Sequence, residues 1–499
     1  MGASWEKADP AVREILEKYR PVWAMEHSLA TLSWDTETGM PEAGATGRGI
    51  ASGQLAMMYQ RAALELKGPV TRAAKSKDLD DREKGVVRVL KRSIDYYEKI
   101  PPELVDKLQR VTTEATVVWR KARKNSDFKL FAPHLQKILD LKREEADKLG
   151  YKQHRYNALL DLYDEGMTVK DADSVFSRLV PGVKKIMEKV QSQGLFPSKH
   201  PLESVRYETS AMTRLSEETL RTLKMPGERF KMAISTHPFC TTISPDDVRI
   251  TTRYEGRDFK SSLFAVMHEC GHAMYELGVA KDLQYTPIFG GASLGIHESQ
   301  SRFWENAVGR SKPYAKLAYP TIRKSLPFVS KYTSDELYLY FNTVRTSMIR
   351  VEADELTYNL HIALRYEIEK RMIEGKVAVS ELPALWNDLF DEYLGTRPKK
   401  DSEGVLQDVH WGGGSIGYFP TYTLGNVVLG MIWHKMDDGR QITDAIRKRD
   451  LVSLRTWLGT NIHRWGQTYS PKQLLERTFG ETYNPEWLLK YLSDKYLEN

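Results

Sequence analysis

The stretch FAVMHECGHAMYELG, residues 264–278, contains the pattern His-Glu-x-x-His at His268, Glu269 and His272. In an α-helix, residues four apart lie on one face and about 6 Å apart along the axis, so two imidazoles at this spacing can converge on one metal ion. Glu269 is offset around the same helix, where its carboxylate can reach a metal-activated water without binding the metal. The pattern therefore predicts a helix with two metal ligands and a general base.

An amphipathic helix without a metal is the alternative for this stretch, because Leu263, Met267, Met274 and Tyr275 make a credible apolar stripe. The chain has 12 histidines among 499 residues. At that frequency, His-Glu-x-x-His arises by chance in only about a few per cent of such chains. The metal site is therefore the favoured interpretation.

A catalytic site of this kind needs a third protein ligand and an open fourth position for water or substrate. Glu298, in the helix-like segment GASLGIHESQSRFWENAVGR, is the favoured candidate. Glu276 lies one more helical turn from His268, so it would reach the same ion only with strain. His297, next to Glu298, is a rival ligand that the spacing leaves open.

Most of the remaining chain has apolar residues at three- and four-residue spacing, which is typical of helices. Residues 230–254, FKMAISTHPFCTTISPDDVRITTRY, are instead rich in Thr, Ile and Val around a Ser-Pro-Asp-Asp turn, which indicates a short β-ribbon. Residues 33–49 and 396–420 contain Gly and Pro and are expected to form irregular loops. We predict a mainly α fold with this small β-ribbon, in a single catalytic domain spanning residues 1–499.

Composition excludes several classes of protein. With 73 basic and 67 acidic residues, the net charge of +6 is too small and too dispersed for a nucleic-acid binder. Two cysteines, Cys240 and Cys270, cannot support a disulfide-rich secreted scaffold. The first 20 residues lack the apolar core of a signal peptide, and no apolar run approaches the ~20 residues that span a membrane. We expect a cytoplasmic protein that binds neither nucleic acid nor membranes.

Six motifs give the chain a family resemblance over essentially its full length. It resembles the thermostable metallocarboxypeptidase family, often called the carboxypeptidase Taq family. The family motifs, in chain order, are H-P-F, D-x-R-x-T, H-E-x-x-H, H-E-S/G-Q, I-R-x-x-A-D and G-x-x-Q-D-x-H-W. All are intact here, at residues 237–239, 247–251, 268–272, 297–300, 349–354 and 404–411.

The resemblance implies the release of single amino acids from peptide C-termini, with broad side-chain tolerance. It also implies a helical fold with a deep central groove, a homodimer and heat stability. One Zn²⁺ or Co²⁺ ion per chain is implied at His268, His272 and Glu298, with Glu269 as the general base.

An enzyme acting at a C-terminus must recognise a carboxylate, and an Arg guanidinium can pair with both of its oxygens. Arg350 and Arg249 are the two arginines in the motifs. Arg350 is the favoured carboxylate clamp, with Asp354, four residues on, as a candidate partner. His237 either shapes a substrate pocket or packs structurally before Pro238.

Hydrolysis also requires a donor for the oxyanion of the tetrahedral intermediate. His410 lies in a Gly- and aromatic-rich loop and is the leading candidate. Tyr418 and Tyr422 are further candidates, by analogy with related helical zinc peptidases, although packing is the simpler interpretation of either tyrosine alone. The same loop has no Gly-Lys-Ser/Thr after its glycines, which excludes a P-loop.

Two other functions are compatible with the metal pattern. The first is an endo-oligopeptidase, which would tolerate a substrate whose C-terminus is blocked as an amide. The second is a non-enzymatic helical scaffold with a structural metal, which would bind the ion without cleaving peptides.

Overall fold

The computed structural model describes residues 5–498. It is 68% helical with one small three-stranded sheet, which confirms the predicted mainly α class. None of the described helices is long and apolar enough to cross a membrane. The α-helices are α1 (Pro10–Thr38), α2 (Ala45–Glu65), α3 (Lys67–Ala73), α4 (Asp81–Lys99), α5 (Pro102–Asn125), α6 (Phe128–Leu149), α7 (Tyr156–Asp161), α8 (Val169–Gln193), α9 (Thr209–Thr222), α10 (Phe259–Gly278), α11 (Leu294–Arg302), α12 (Lys312–Ser325), α13 (Ser334–Phe341), α14 (Glu355–Glu374), α15 (Leu382–Leu394), α16 (Pro420–Lys435), α17 (Arg440–Arg447), α18 (Leu451–Asn461), α19 (Pro471–Phe479) and α20 (Pro485–Leu497).

The chain divides into two compact units, each assembled from three segments. The first unit comprises Met1–Glu98, Pro201–Phe341 and Gly439–Gly480, and it contains the sheet together with α10 and α11. The second unit comprises Lys99–His200, Asn342–Asp438 and Glu481–Asn499. The interpretation of residues 1–499 as a single catalytic domain stays a prediction.

The predicted β-ribbon is a three-stranded sheet of β1 (Phe230–Ile234), β2 (Cys240–Ser244) and β3 (Asp247–Thr252), in the order β1-β3-β2. β1 runs parallel to β3, and β2 runs antiparallel to it with an irregularity after Thr242. Val248, Ile250 and Thr252 on β3 are buried, as expected for one covered face of a strand. β3 packs against α10, so the sheet supports the helix that carries the His-Glu-x-x-His pattern.

Close packing of α10 on α11 depends on a glycine. A Cβ at Gly271 would lie 2.5 Å from the carbonyl oxygen of Gln300 and 2.6 Å from Cα of Ser301. Only a residue without a side chain allows the two backbones to approach this closely. After Arg302 the chain continues as a π-helix over Phe303–Gly309, a rare conformation that is frequent at functional sites.

The structure corrects one loop prediction and confirms the other. Residues 33–49 are not a long loop, because α1 continues to Thr38 and α2 begins at Ala45. Arg48 on α2 donates to the carbonyl oxygen of Leu32 and forms an ion pair with Asp35, so contacts between the helices outweigh the low helix propensity of the glycines. Residues 396–419, in contrast, contain no α-helix.

Candidate active site

Three predicted ligands meet in the first unit. His268 and His272 lie on α10 and Glu298 lies on α11, and their nearest ligand atoms are all within 4.8 Å of one another. Nε2 of each histidine is 3.7 Å from Oε2 of Glu298. Ligand atoms of a tetrahedral zinc site lie about 3.3–3.5 Å apart. The two distances to Glu298 are therefore only a few tenths of an ångström longer than in such a site, and the three side chains can converge on one divalent ion.

Glu298 is held in place by its own helix. Arg302, one turn further along, donates from Nε to Oε1 of Glu298 over 2.7 Å. This contact leaves Oε2 as the oxygen that faces the two histidines. Arg302 was not among the predicted site residues, although its position four residues after Glu298 is the spacing of a helical ion pair.

The orientation of His268 is set by Glu305 in the π-helical segment. Nδ1 of His268 is 2.9 Å from Oε2 of Glu305. Glu305 also accepts from Arg302 and Arg310 over 3.2 and 3.1 Å. Although burial favours the neutral acid, Arg302, His268 and Arg310 lower the pKa of Glu305 below its ordinary value. An ionised Glu305 accepts a hydrogen bond from Nδ1–H of His268. The proton of the neutral ring therefore lies on Nδ1, and the lone pair on Nε2 points toward Glu298.

A second chain of hydrogen bonds orients His272. Nδ1 of His272 is 2.6 Å from Nδ1 of His297, and Nε2 of His297 is 2.7 Å from Oε1 of Glu276. With Glu276 as acceptor, His297 donates from Nε2 and accepts at Nδ1 from His272. His272 therefore presents its Nε2 lone pair to the metal position. His297 and Glu276, the rival ligands in the sequence, lie behind His272.

Glu269 is a buried carboxyl group, 6% exposed, on the same helix as the two histidines. It forms no hydrogen bond with any other residue in the described part of the chain. Burial is the main cause that raises the pKa of Glu269 to about 7; the charge of His268 opposes the shift and that of Glu298 adds to it. The side chain is thus available to exchange a proton with a water molecule at near-neutral pH.

The predicted residues of the 349–422 region cluster in the second unit. Arg350 is buried, and its Nε and one terminal nitrogen donate to Oδ1 of Asp408 over 2.9 and 2.8 Å. The other terminal nitrogen donates to the Tyr358 hydroxyl over 2.9 Å. Arg365 pairs with Oδ2 of Asp408 at 2.6 Å. Asp408 therefore fixes two guanidinium groups, while two of the five N–H groups of Arg350 stay outside these contacts.

Asp354 does not take the role considered for it. It is the N-cap of α14, where its oxygens accept from the backbone N–H groups of Thr357 and Arg345 over 2.9 and 3.0 Å. The helical spacing between Arg350 and Asp354 does not apply, because residues 350–352 form a short 3₁₀ turn that ends before α14 begins. No local pattern indicated Asp408 as the partner, since 58 residues separate it from Arg350.

His410, Tyr418 and Tyr422 lie together beside Arg350. Nε2 of His410 is 3.3 Å from the hydroxyl of Tyr422, and Nδ1 is 3.9 Å from Oδ1 of Asp408. The ring centroids of Tyr418 and Tyr422 are 5.3 Å apart, and the Arg350 guanidinium lies 5.2 Å from the Tyr422 ring. Burial is the main cause that lowers the pKa of His410 to about 4. His410 is therefore a neutral imidazole at pH 7.

The remaining predicted substrate residues belong to the sheet of the first unit. Arg249 on β3 donates to both oxygens of Asp247 over 2.7 and 2.6 Å and lies over the ring of Trp34. His237 is exposed in the connection between β1 and β2, where its carbonyl oxygen accepts from Ser235. Asp247 thus occupies one edge of the Arg249 guanidinium, the edge formed by Nε and one terminal nitrogen.

Comparison with known proteins covers almost the whole chain. The profile of the family described as "Carboxypeptidase Taq (M32) metallopeptidase" matches residues 14–496. Thermostable carboxypeptidase 1 of Pyrococcus furiosus is 43% identical over 490 residues, which cover 97% of this chain and 98% of that protein. Carboxypeptidase 1 of Bacillus subtilis is 35% identical over 97% of both chains. A solved structure of Pyrococcus furiosus carboxypeptidase superposes with a TM-score of 0.96 at 42% identity, covering 98% of this chain and 99% of that one.

Proposed function

Because this chain belongs to the carboxypeptidase Taq (M32) family and is a metallocarboxypeptidase, we propose that it releases single amino acids with broad specificity, with His268, His272 and Glu298 as metal ligands and Glu269 as general base. The observation that carries the site assignment is the convergence of two histidine Nε2 atoms on Oε2 of Glu298, each at 3.7 Å. Hydrogen bonds from both Nδ1 atoms to outer partners support it, because they fix the tautomers that bind metals.

The donor set indicates the kind of ion. Two imidazoles and one carboxylate suit Zn²⁺, with Co²⁺ as an alternative and one ion per chain. Such an ion supplies a Lewis acid that lowers the pKa of water to about 7 and polarises the peptide carbonyl.

Glu269 takes up the proton of the attacking water and passes it to the leaving amine. Its freedom from other hydrogen bonds and its raised pKa, about 7, suit a group that must both accept and give a proton near neutral pH. Arg302 and Glu305 take no part in proton transfer, since they hold Glu298 and His268 in position.

For the second unit we propose substrate recognition. Arg350 binds the C-terminal carboxylate through the two N–H groups that Asp408 and Tyr358 leave available. His410 donates to the oxyanion as a neutral imidazole, and Tyr422, 3.3 Å from it, orients the ring or donates as well. Tyr418, Arg249 and His237 complete the proposed set as contacts along the peptide.

Four features of the whole protein belong to the same proposal. We propose one catalytic domain over residues 1–499, a homodimer, a cytoplasmic location and heat stability. The family resemblance supports all of them, and the name of the Pyrococcus furiosus relative supports the last.

The decisive experiment is mass spectrometry of an unblocked peptide incubated with metal-reconstituted protein. We expect a ladder that loses one residue at a time from the C-terminus, and almost no cleavage of the same peptide as a C-terminal amide. Internal fragments from both peptides would instead establish the endo-oligopeptidase. The Glu269→Gln variant is the matched control, because it should retain the metal and lose hydrolysis. If the wild type binds the metal but cleaves no peptide, the non-enzymatic scaffold with a structural metal is the remaining function.

A further inference from the structure

A cavity of about 220 Å³ lies inside the first unit, lined by α9, α10, α12 and the connection that leads into α18. We propose that it binds a small amphipathic carboxylate, an acid with one compact apolar body and a single negative charge. This site is separate from the metal cluster, and the proposal does not depend on the function proposed above.

Most of the residues that line the cavity are apolar, although the surface that they expose to it is mixed. One face of α12 contributes residues at the spacing of a helical stripe, namely Tyr314, Leu317, Ala318, Thr321 and Ile322. Leu215 on α9 and Leu263 on α10 also line the cavity, and the hydroxyl of Thr219 on α9 is already bonded to a backbone carbonyl. Such a lining favours a branched or short hydrocarbon body.

The charged residues of the lining are both cationic. Lys224 follows α9 and Arg449 follows α17, each with a left-handed backbone, φ 55° and 58°. Both side chains are exposed, and neither forms an ion pair with a residue in the described range. No acidic residue lines the cavity. An anion therefore has two candidate partners there, whereas an ammonium group has none.

The hydroxyl of a lining tyrosine supplies a second, independent indication of a ligand. Tyr314 is 1% exposed and lines the cavity, but its hydroxyl forms no hydrogen bond with any described residue. A hydroxyl without a protein partner forms its hydrogen bonds with water or with a ligand. A ligand oxygen in the cavity would satisfy this donor.

Size and charge together define the ligand. A volume of about 220 Å³ lies between a cavity of about 150 Å³ that holds benzene and the range that starts at about 300 Å³ for drug-sized ligands. Free hydrophobic amino acids have a suitable size, but their ammonium group would lack a partner. The best probe is 4-methylpentanoate, which is leucine without its amino group.

The site does not overlap the metal ligands. Leu263 precedes His268 by five residues on α10, which turns its side chain about 140° around the helix axis from His268. A ligand in the cavity would therefore contact the metal-bearing helix on another face, and its binding can be measured without reference to hydrolysis.

The test is saturation-transfer NMR on the metal-loaded full chain, titrated with 4-methylpentanoate. We expect saturable binding with a dissociation constant of about 1–10 mM, as suits so small a ligand. Leucine and 4-methylpentan-1-ol, which respectively add an ammonium group and remove the charge, should bind at least about fivefold more weakly. Equal binding of the acid and the alcohol, or no saturable binding of the acid, would overturn the proposal.

Variants locate the binding, since a carboxylate could also bind at the metal. Ala318→Leu should fill the cavity and abolish most of the signal, and Tyr314→Phe and Arg449→Ser should each weaken binding about two- to tenfold. Lys448→Ser is the matched control, because Lys448 is an exposed neighbour of Arg449 outside the lining. Because Arg449 is exposed, Arg449→Ser should fold, and it still tests the site if Ala318→Leu does not fold. Binding unchanged in the folded cavity variants would place the acid elsewhere and refute the site.

Discussion

Removing the ring of His297 tests whether its hydrogen bond to His272 sets metal affinity. In His297→Ala, Nδ1 of His272 loses its acceptor at 2.6 Å, and the imidazole becomes free to rotate or to change tautomer. Loss of an outer partner of a metal-binding histidine typically weakens metal affinity by about 10–100-fold, or about 1.4–2.7 kcal/mol. We expect a loss in that range, measured by competition with a chromophoric chelator.

Two further variants separate the hydrogen bond from packing. His297→Asn places an amide oxygen near the position of Nδ1, so it should recover most of the affinity that His297→Ala loses. Glu276→Gln keeps an acceptor for Nε2 of His297 but removes the charge, so its effect should be intermediate. Thermal unfolding of the metal-free variants shows whether each is folded. A folded His297→Ala protein with wild-type metal affinity, or His297→Asn no better than His297→Ala, would refute the relay.

Four other outcomes are expected. Glu269→Gln should bind metal normally and lose about 10²–10⁴-fold in kcat, as expected for a general base. Burial raises the pKa of Glu269 from 4.5 to about 7 in the metal-free fold, so folding favours the protonated acid. The stability that this acid contributes should therefore be fully present below about pH 4.5 and lost as the pH rises through 7. The melting temperature of the metal-free wild type should therefore fall over this pH interval more than that of Glu269→Gln. Gly271→Ala should lower both the melting temperature and the metal affinity, because its Cβ would lie 2.5 Å from the carbonyl oxygen of Gln300. Wild-type values of both quantities would show that α10 and α11 can move apart to admit the methyl group. Glu369→Ala should destabilise the second unit by about 3 kcal/mol or more, since it leaves the donors of Tyr156, Trp411 and Gly417 unpaired, and proteolysis of the 396–419 loop should report the loss.

The helical positions of the site could be predicted because their rules are local. The four-residue spacing of His268 and His272 fixes a shared helix face before any fold is known. The choice of Glu298 over Glu276 followed from helix pitch, since one more turn takes a side chain out of reach.

The outer partners could not be predicted, because the rules that place them are not local. Glu305 reaches His268 only because the helix widens into a π-helix after Arg302, and the sequence has no known signal for that change. Asp408 reaches Arg350 across 58 residues of chain. The wrong loop assignment at residues 33–49 has a similar origin, since the Arg48 contacts with α1 override the glycine-rich local sequence.

Charge explains why these outer partners accompany the ligands. The cluster around α10 and α11 holds four carboxyl groups, those of Glu269, Glu276, Glu298 and Glu305, and two guanidinium groups, those of Arg302 and Arg310. With neutral histidines and ionised acids, two negative charges remain, which a divalent cation at the proposed site would neutralise. Buried charge is tolerated only when it is paired, so a cation bound by the proposed ligands would also balance the cluster. The positive charge of that cation would favour the ionised form of Glu269, which is the form that the proposed general base needs to accept a proton from water.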